Sequence, residues 1–287
     1  MLLKKIKIAI VIALLYQTTL YSKSNSFEYF NSKNLSEYFS GIVAFENKDN
    51  SRALNFFDSS KVLINKHDPY LKRYIYALVL ENKVQQAINL IKKNDNKNNS
   101  NFFDAQLLLV LDSLKKNELN RAEFFLDKAT SFSKKDRFNL AIIENLKQYI
   151  FVFKEKKLQK NKSNFGKLSI ISETFQRCYL DDQKTDSFFS NLINSSDADY
   201  TRYIFFYLSH LIQNNELDKA KEIVNEIKYI NSTLLLSQAK SWVEQDNLEK
   251  ILNVFSCNNY NDIISEFLFL ISNLYSTQDD FDKSNFY

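Results

Sequence analysis

A short polar segment recurs along this chain at a nearly constant spacing, and this repetition limits the possible folds more than any other feature. The six look-alike segments end in a small or apolar residue, at Ala53, Ala87, Ala122, Ala220, Ile251 and Ser284. Neighbouring copies are 34, 35, 31 and 33 residues apart. A period in this range is typical of repeat proteins in which each unit is a helix, a polar turn and a second helix. The sequence therefore predicts an all-α fold, an α-solenoid of antiparallel helix pairs.

The composition agrees with an all-helical chain. The sequence contains only two glycines and one proline, which leaves little material for tight β-turns or glycine-rich phosphate loops. The formal net charge is +4, but three lysines lie in the first seven residues, so the remainder is nearly neutral. A neutral body gives no electrostatic reason to expect nucleic acid binding. The lysine-rich run 154–162 is interpreted as a solvated helix end or linker.

The first predicted helix pair shows how the units are built. Apolar residues recur at spacings of three and four between Leu35 and Phe45, and a second apolar helix extends from Ala53 to Ile64. A turn of a few residues between two helices makes them antiparallel. The small side chains of Gly41 and Ala53 let the two helix axes approach closely.

This spacing of small residues resembles the tetratricopeptide repeat (TPR) family. Gly41 is followed twelve residues later by Ala53 and four residues after that by Phe57. Later units keep part of the pattern, in Ala87 with Ile91, Ala122 with Leu126 and Ala129, Ala220 with Val224, Ala239 with Trp242, and Ile251 with Phe255. The resemblance implies a right-handed superhelix that binds proteins and has no catalytic role.

The resemblance is uneven along the chain. We assign 35–133 to three TPR-like repeats and 197–287 to further repeats, the last of them incomplete. The segment 134–196 has readable helices but no alanine at the expected crossing, so it contains either two degenerate repeats or an irregular helical insert. In the last repeat, the first helix extends from Ile263 to Tyr275, and only one turn of the second helix follows it. Because solenoids normally end in a polar-faced cap, we expect a fragment of a longer protein or an end covered by a partner.

The N-terminus has the three parts of a secretory signal. Lysines precede an apolar segment from Ile8 to Tyr16, and small residues follow at Ser22 and Ser24. About ten apolar residues make roughly 15 Å of helix, against about 30 Å of hydrocarbon in a membrane. We predict a signal peptide at 1–22, a linker at 23–34 and a periplasmic location. An uncleaved inner-membrane anchor and a buried N-terminal helix are the alternatives.

Residues that could carry chemistry are few and far apart in the sequence. Cys178 and Cys257 are predicted to be core residues; export would allow them to pair, but they lie two repeats apart and we expect them to be too distant. With two scattered histidines they suggest no metal site. His67 and His210 are interpreted as structural. The pairs Asp181–Asp182 and Asp279–Asp280 occupy turns, where Asp caps the following helix. We predict no catalytic residue and no cofactor.

The remaining functional prediction is a binding surface. In TPR arrays the first helices of successive units line a concave groove, and the resemblance assigns to it Tyr38, Lys72, Tyr76, Arg202, Phe205, Lys240, Phe269 and Asn273. The clamp by which some family members hold a chaperone C-terminus needs Lys and Asn where this chain has Tyr38 and Ile42, so that partner is not expected. A mixed aromatic and basic groove suits a peptide segment of another protein.

These observations favour a non-catalytic scaffold of the cell envelope that binds a protein or peptide. One alternative is a helical accessory domain of a larger envelope enzyme that cleaves cell-wall glycan. The other is an assembly factor anchored in the inner membrane, which depends on whether the N-terminal signal is removed.

Overall fold

The computed structural model describes residues 31–94, 101–133, 136–159, 164–195, 201–226 and 233–287, and the predicted signal peptide 1–22 lies outside them. Within these ranges every regular element is helical and there is no strand, so the all-α prediction is confirmed. The predicted linker 23–34 is wrong at its end, because the first helix already begins at Ser32. None of the helices in these ranges is both long enough and apolar enough to cross a membrane.

Fifteen α-helices and one 3₁₀ turn make up this part of the chain. The helices are α1 Ser32–Glu46, α2 Asn50–Ser59, α3 Asp68–Leu80, α4 Val84–Asn94, α5 Phe103–Lys115, α6 Leu119–Ser133, α7 Arg137–Glu155, α8 Lys167–Leu180, α9 Thr185–Ile193, α10 Arg202–Gln213, α11 Leu217–Glu226, α12 Leu234–Glu244, α13 Glu249–Val254, α14 Tyr260–Ser276 and α15 Phe281–Phe286. The second predicted helix is shorter than expected, because a 3₁₀ turn at Lys61–Asn65 follows α2.

Seven inter-helix turns share one hydrogen-bond pattern. In the turn after α10, Asn215 has φ 61°, its N–H donates to the carbonyl of Ile212, and the N–H of Glu216 donates to Leu211. This pair of bonds is the Schellman motif, which needs one residue in the left-handed conformation. The same two bonds recur at the other six left-handed turn residues, Lys48, Asn82, Asn117, Asp181, Asp246 and Asp279. Asn and Asp tolerate this conformation better than other non-glycine residues, so the chain makes these turns with almost no glycine.

The turn at Asp181 joins a helix pair in the segment 134–196, where the sequence pattern has no alanine. It connects α8 to α9, which spans Thr185–Ile193. The described residues of this segment form three helices, α7, α8 and α9, rather than the four that two repeats would need. They are therefore one helix pair preceded by α7, which packs mainly against α6.

The small residues of the repeats lie where helices pack. Ala53, Ala87, Ala122, Ala220 and Ala239 are all fully buried. At Gly41 an added Cβ would lie 2.7 Å from Cε1 of Phe57, so a larger residue would collide with that ring. Both observations confirm that small residues are needed at these positions because the helices pack closely there.

The chain divides into two compact units, Met1–Ala77 and Leu78–Tyr287, and the boundary falls within α3. In the first unit, α1 packs against α2 around an aromatic cluster. The ring of Tyr38 lies 6.1 Å from that of Phe57 and 5.5 Å from that of Tyr70. His67 contacts the Tyr38 hydroxyl at 3.0 Å and is structural, as predicted.

In the second unit, α14 lies antiparallel to α7. Three aromatic contacts join the two helices in opposite order, Phe153 with Tyr260 at 5.1 Å, Tyr149 with Phe267 at 5.5 Å, and Phe138 with Tyr275 at 5.6 Å. Besides packing against its neighbour α6, α7 therefore contacts a helix that lies more than a hundred residues later. Repeats of a linear array contact only their neighbours, so this packing differs from the predicted arrangement.

The C-terminal residues contact other helices of the second unit. Phe286 is 7% exposed, the ring of Tyr287 stacks on Tyr275 at 5.5 Å, and the Tyr287 hydroxyl donates to Asp104 of α5 at 2.9 Å.

Candidate functional site

The most chemically distinctive cluster of the described residues lies in the second unit, around Cys178, His210 and Cys257. Cys178 is in the last turn of α8, His210 is in the last turn of α10, and Cys257 follows α13. The two cysteines form a disulfide bond, with a Cα–Cα distance of 5.4 Å. The prediction that they are too distant to pair is wrong, whereas the prediction that they are core residues is confirmed, since both are fully buried.

Repeat geometry explains why residues so distant in sequence meet. Cys178 and His210 are 32 residues apart, which is close to one repeat, and each lies just before a Schellman turn. Consecutive turns are in contact, because the side chain of Asn214 donates to Asp181 at 2.9 Å. The sequence signal that could have revealed the pair was this one-repeat spacing. Cys257 follows no such spacing, so only the fold reveals its position.

His210 is held on both ring nitrogens. Nδ1 lies 3.7 Å from Sγ of Cys178, and Nε2 lies 3.4 Å from Oδ1 of Asp186, whose other oxygen is paired with Lys219. The imidazole is only 3% exposed. Burial lowers the pKa of His210, and the nearby Asp186 carboxylate opposes this effect only in part. The imidazole is therefore neutral at neutral pH.

Aromatic rings close the cluster off from solvent. Phe255 lies edge-on to Phe206 at 4.6 Å and to Phe175 at 5.7 Å. The hydroxyl of Ser209 donates to the carbonyl of Phe255 at 2.7 Å, which holds the segment before Cys257 in place. A substrate in solution has no access to these sulfur atoms, so the cluster suits a structural bond or a bound ion rather than catalysis.

The predicted groove residues do not share one environment. Tyr38, Tyr76 and Phe205 are 2%, 7% and 0% exposed, so they are core residues and cannot present a surface to a partner. Their large rings fit the helix–helix interfaces, which is the physical reason for the correction. Lys72, Phe269 and Asn273 are exposed, and Arg202 and Lys240 are partly exposed.

Two of the candidates that are at least partly exposed, Arg202 and Phe269, are in direct contact in the second unit. The guanidinium group of Arg202 lies 4.1 Å from the ring centre of Phe269, and Asn273 is one helical turn further along α14. Arg202 also donates two hydrogen bonds to Glu266, at 3.0 and 2.6 Å. Burial raises the pKa of Glu266 although Arg202 acts in the opposite direction. We call Arg202, Phe269 and Asn273 the α14 patch.

The paired aspartates lie in turns between helices, where they accept backbone hydrogen bonds, as predicted. Oδ1 of Asp182 accepts from the N–H of Lys184, and Oδ1 of Asp280 caps α15 by accepting from the N–H of Lys283. Burial would raise the pKa of Asp182, but the Lys184 N–H and the Arg177 guanidinium outweigh it and lower this pKa. These carboxylates therefore have structural partners.

No protein-family model matches this chain, and no curated protein or solved structure matches it either. The likeness to TPR proteins consequently depends on the spacing of this chain's own residues and on its repeated turns.

Proposed function

We propose that this chain is an exported, non-catalytic scaffold of the cell envelope that binds a protein or peptide segment through TPR-like helix pairs. The proposal that the chain is exported is supported by the disulfide bond between Cys178 and Cys257. Disulfides form and persist in oxidising compartments and are rare in the bacterial cytoplasm. The signal-like pattern of residues 1–22 agrees with this location.

The architectural part of the proposal rests on the repeated turns. Six helix pairs joined by such a turn pack against each other, namely α1 with α2, α5 with α6, α8 with α9, α10 with α11, α12 with α13, and α14 with α15. For the pairs of the second unit we infer a TPR-like array in which α14 also contacts α7. Repeat arrays of this kind present extended surfaces that bind proteins.

The α14 patch is the part of the predicted groove that supports partner binding. Phe269 is 41% exposed although its ring is large and apolar, and the cation of Arg202 lies against it. Aromatic and arginine side chains are enriched where proteins contact each other. We infer that a partner segment packs on Phe269 and makes a hydrogen bond to the amide of Asn273.

Export can be tested on the full chain expressed with its own N-terminus. We expect N-terminal sequencing of the product to begin shortly after Ser22. A thiol-alkylating reagent, added to the unfolded chain because both cysteines are fully buried in the folded one, should modify the cysteines only after reduction. An uncleaved N-terminus in the membrane fraction with an intact disulfide would instead support the anchored alternative. A cytoplasmic product with an intact N-terminus and two free thiols would overturn export.

Partner binding can be tested by placing a photocrosslinking phenylalanine analogue at Phe269 in cells. The matched control is the same analogue at Phe281, which is 52% exposed but lies outside the α14 patch. We expect a discrete crosslinked product from Phe269 only, and Asn273→Ala should reduce its yield. Equal crosslinking from both positions, or none from either, would contradict the α14 patch as the binding surface.

A further inference from the structure

Two sulfur atoms and one imidazole nitrogen converge on a single buried point in the second unit. The candidate ligand atoms of Cys178, His210 and Cys257 all lie within 4.8 Å of one another. We propose that these three residues bind a thiophilic metal ion, Zn²⁺ or Cu⁺, when the disulfide is reduced. This proposal does not depend on the scaffold function or on export.

The spacing of the donors is the first argument. Typical bond lengths of about 2.3 Å to sulfur and 2.0 Å to nitrogen place tetrahedral ligand atoms about 3.5 to 3.8 Å apart. Sγ of Cys178 and Nδ1 of His210 are already 3.7 Å apart. The site then requires the bond between the sulfur atoms to open, so that both sulfur atoms reach this spacing.

The state of Nδ1 is the second argument. His210 is 3% exposed, and the contact recorded for its Nδ1 is the sulfur of Cys178. Sulfur is a weak hydrogen-bond acceptor, and a buried polar nitrogen normally has a strong partner. A metal ion would supply that partner, and the imidazole is neutral, as a ligand must be.

The environment of the other ring nitrogen is the third argument. Metal-binding histidines usually donate the second ring N–H to a carboxylate, which fixes the tautomer and the ring orientation. Here Nε2 lies 3.4 Å from Oδ1 of Asp186 and 3.4 Å from Nδ2 of Asn214, and Lys219 contacts the other oxygen of Asp186. In the tautomer whose Nε2 proton faces Asp186, Nδ1 has its lone pair beside Sγ of Cys178.

Charge and donor number distinguish the two ions. Two thiolates neutralise Zn²⁺ but leave one negative charge with Cu⁺, and an uncompensated buried charge is costly. Zn²⁺ normally takes four ligands, whereas soft thiolate donors also suit Cu⁺.

The disulfide must be reduced before the ion can bind. A phosphine supplies the two electrons and becomes a phosphine oxide, with the oxygen and the two protons coming from water, or two thiols supply both and become a disulfide. The ion then displaces protons from both cysteine thiols.

The test uses the full chain reduced with a phosphine under argon, with both thiols confirmed by titration. In one arm Co²⁺, the spectroscopic substitute for Zn²⁺, is added, and we expect thiolate-to-metal absorption that Zn²⁺ removes at one equivalent. In the other arm Cu⁺ is offered in competition with a chromogenic chelator. Binding at one equivalent in either arm supports the site, and the tighter arm identifies the ion.

Substitutions separate a metal site from a disulfide that merely adjoins a histidine. His210→Leu should still form the disulfide on oxidation, yet in the reduced state it should bind the ion about 100-fold more weakly or worse, since outer-shell losses alone cost about 10- to 100-fold. His67→Leu, the matched control, should bind normally. If reduced wild type and His210→Leu bind equally, or if neither ion binds, the proposal is overturned. A reduced chain that has lost its helical circular dichroism and does not regain it with either ion overturns it as well.

Discussion

The hydroxyl of Tyr260 donates a hydrogen bond of 2.8 Å to the carbonyl of Leu114, a residue 146 positions earlier in the chain. Tyr260 begins α14 and Leu114 is in the last turn of α5, so the contact joins the last long helix to an early one. The ring of Tyr260 also lies against Phe153 of α7. One side chain thus connects three helices in the second unit.

Removing this hydroxyl should loosen the connection without creating a cavity. For Tyr260→Phe we expect a loss of about 0.5–1.5 kcal/mol in the free energy of unfolding, the usual contribution of one hydrogen bond. The midpoint of urea unfolding provides the measurement. Tyr260→Ala should cost more, about 3–5 kcal/mol, because it also removes a packed aromatic ring. Equal effects of the two substitutions would show that the hydroxyl, not the ring, makes the connection.

The disulfide should contribute strongly to the stability of the second unit. Its two cysteines are 79 residues apart, and in the chain-entropy model a loop of that length corresponds to about 4 kcal/mol or slightly more. We expect Cys178→Ala combined with Cys257→Ala to lower the unfolding free energy by about 2–5 kcal/mol. Wild type in a strong reductant without metal ions should lose a similar amount. A double variant as stable as the oxidised wild type would contradict a stabilising role.

The first turn contains the one residue of the seven that is poorly suited to its backbone. Lys48 has φ 62°, whereas the corresponding residues elsewhere are Asn or Asp. Since the left-handed conformation costs most residues roughly 1–2 kcal/mol and costs glycine little, Lys48→Gly should stabilise the first unit by up to about 1 kcal/mol. Thermal unfolding monitored by circular dichroism measures the change. Asn82→Gly, at the equivalent place in the next turn, should change stability less, because Asn already tolerates the conformation.

The carboxylate of Asp112 should make stability depend on pH in the acid range. Burial would raise the pKa of Asp112, but hydrogen bonds from Lys116 and Lys92 outweigh this effect and lower the pKa. Because the pKa is lower in the folded chain than the unfolded value of about 3.9, the stabilisation is complete above that value. It is lost as the pH falls through the folded pKa.

The corresponding experiment compares wild type with Asp112→Asn by urea unfolding at several pH values. The variant should be less stable at neutral pH, and the difference should shrink steadily below about pH 4. Asp127→Asn, which changes an exposed carboxylate in a surface ion pair, serves as the control and should have little effect at any pH. A difference for Asp112→Asn that stays constant down to low pH would contradict an ionic contribution.

Local signals in the sequence predicted the local features of the fold. Polar turns with a following small residue located six of the seven Schellman turns, and the buried alanines confirm why those residues are small. The turn at Asp181 was predicted, but it was not recognised as one of the series because its helix pair has no alanine at the crossing. The environments of Tyr38, Tyr76 and Phe205 were missed because a groove position and a core position can have the same helical spacing.

Contacts between distant repeats could not be predicted from periodicity. Besides α6, α7 contacts α14, and no local pattern predicts which aromatic rings meet across more than a hundred residues. The cluster of Cys178, His210 and Cys257 was missed for a related reason. Only the first two follow the repeat spacing, and the position of the third depends on the loop after α13.

The pairing of α7 with α14 has a consequence for how this chain can vary. An array whose ends never meet can gain or lose a unit by duplication or deletion, since each new unit only needs a neighbour. Between α7 and α14 there are three helix pairs, α8–α9, α10–α11 and α12–α13. Deleting any one of them would leave α14 misplaced against α7, so the number of helix pairs between these two helices is constrained more strictly than in an open array.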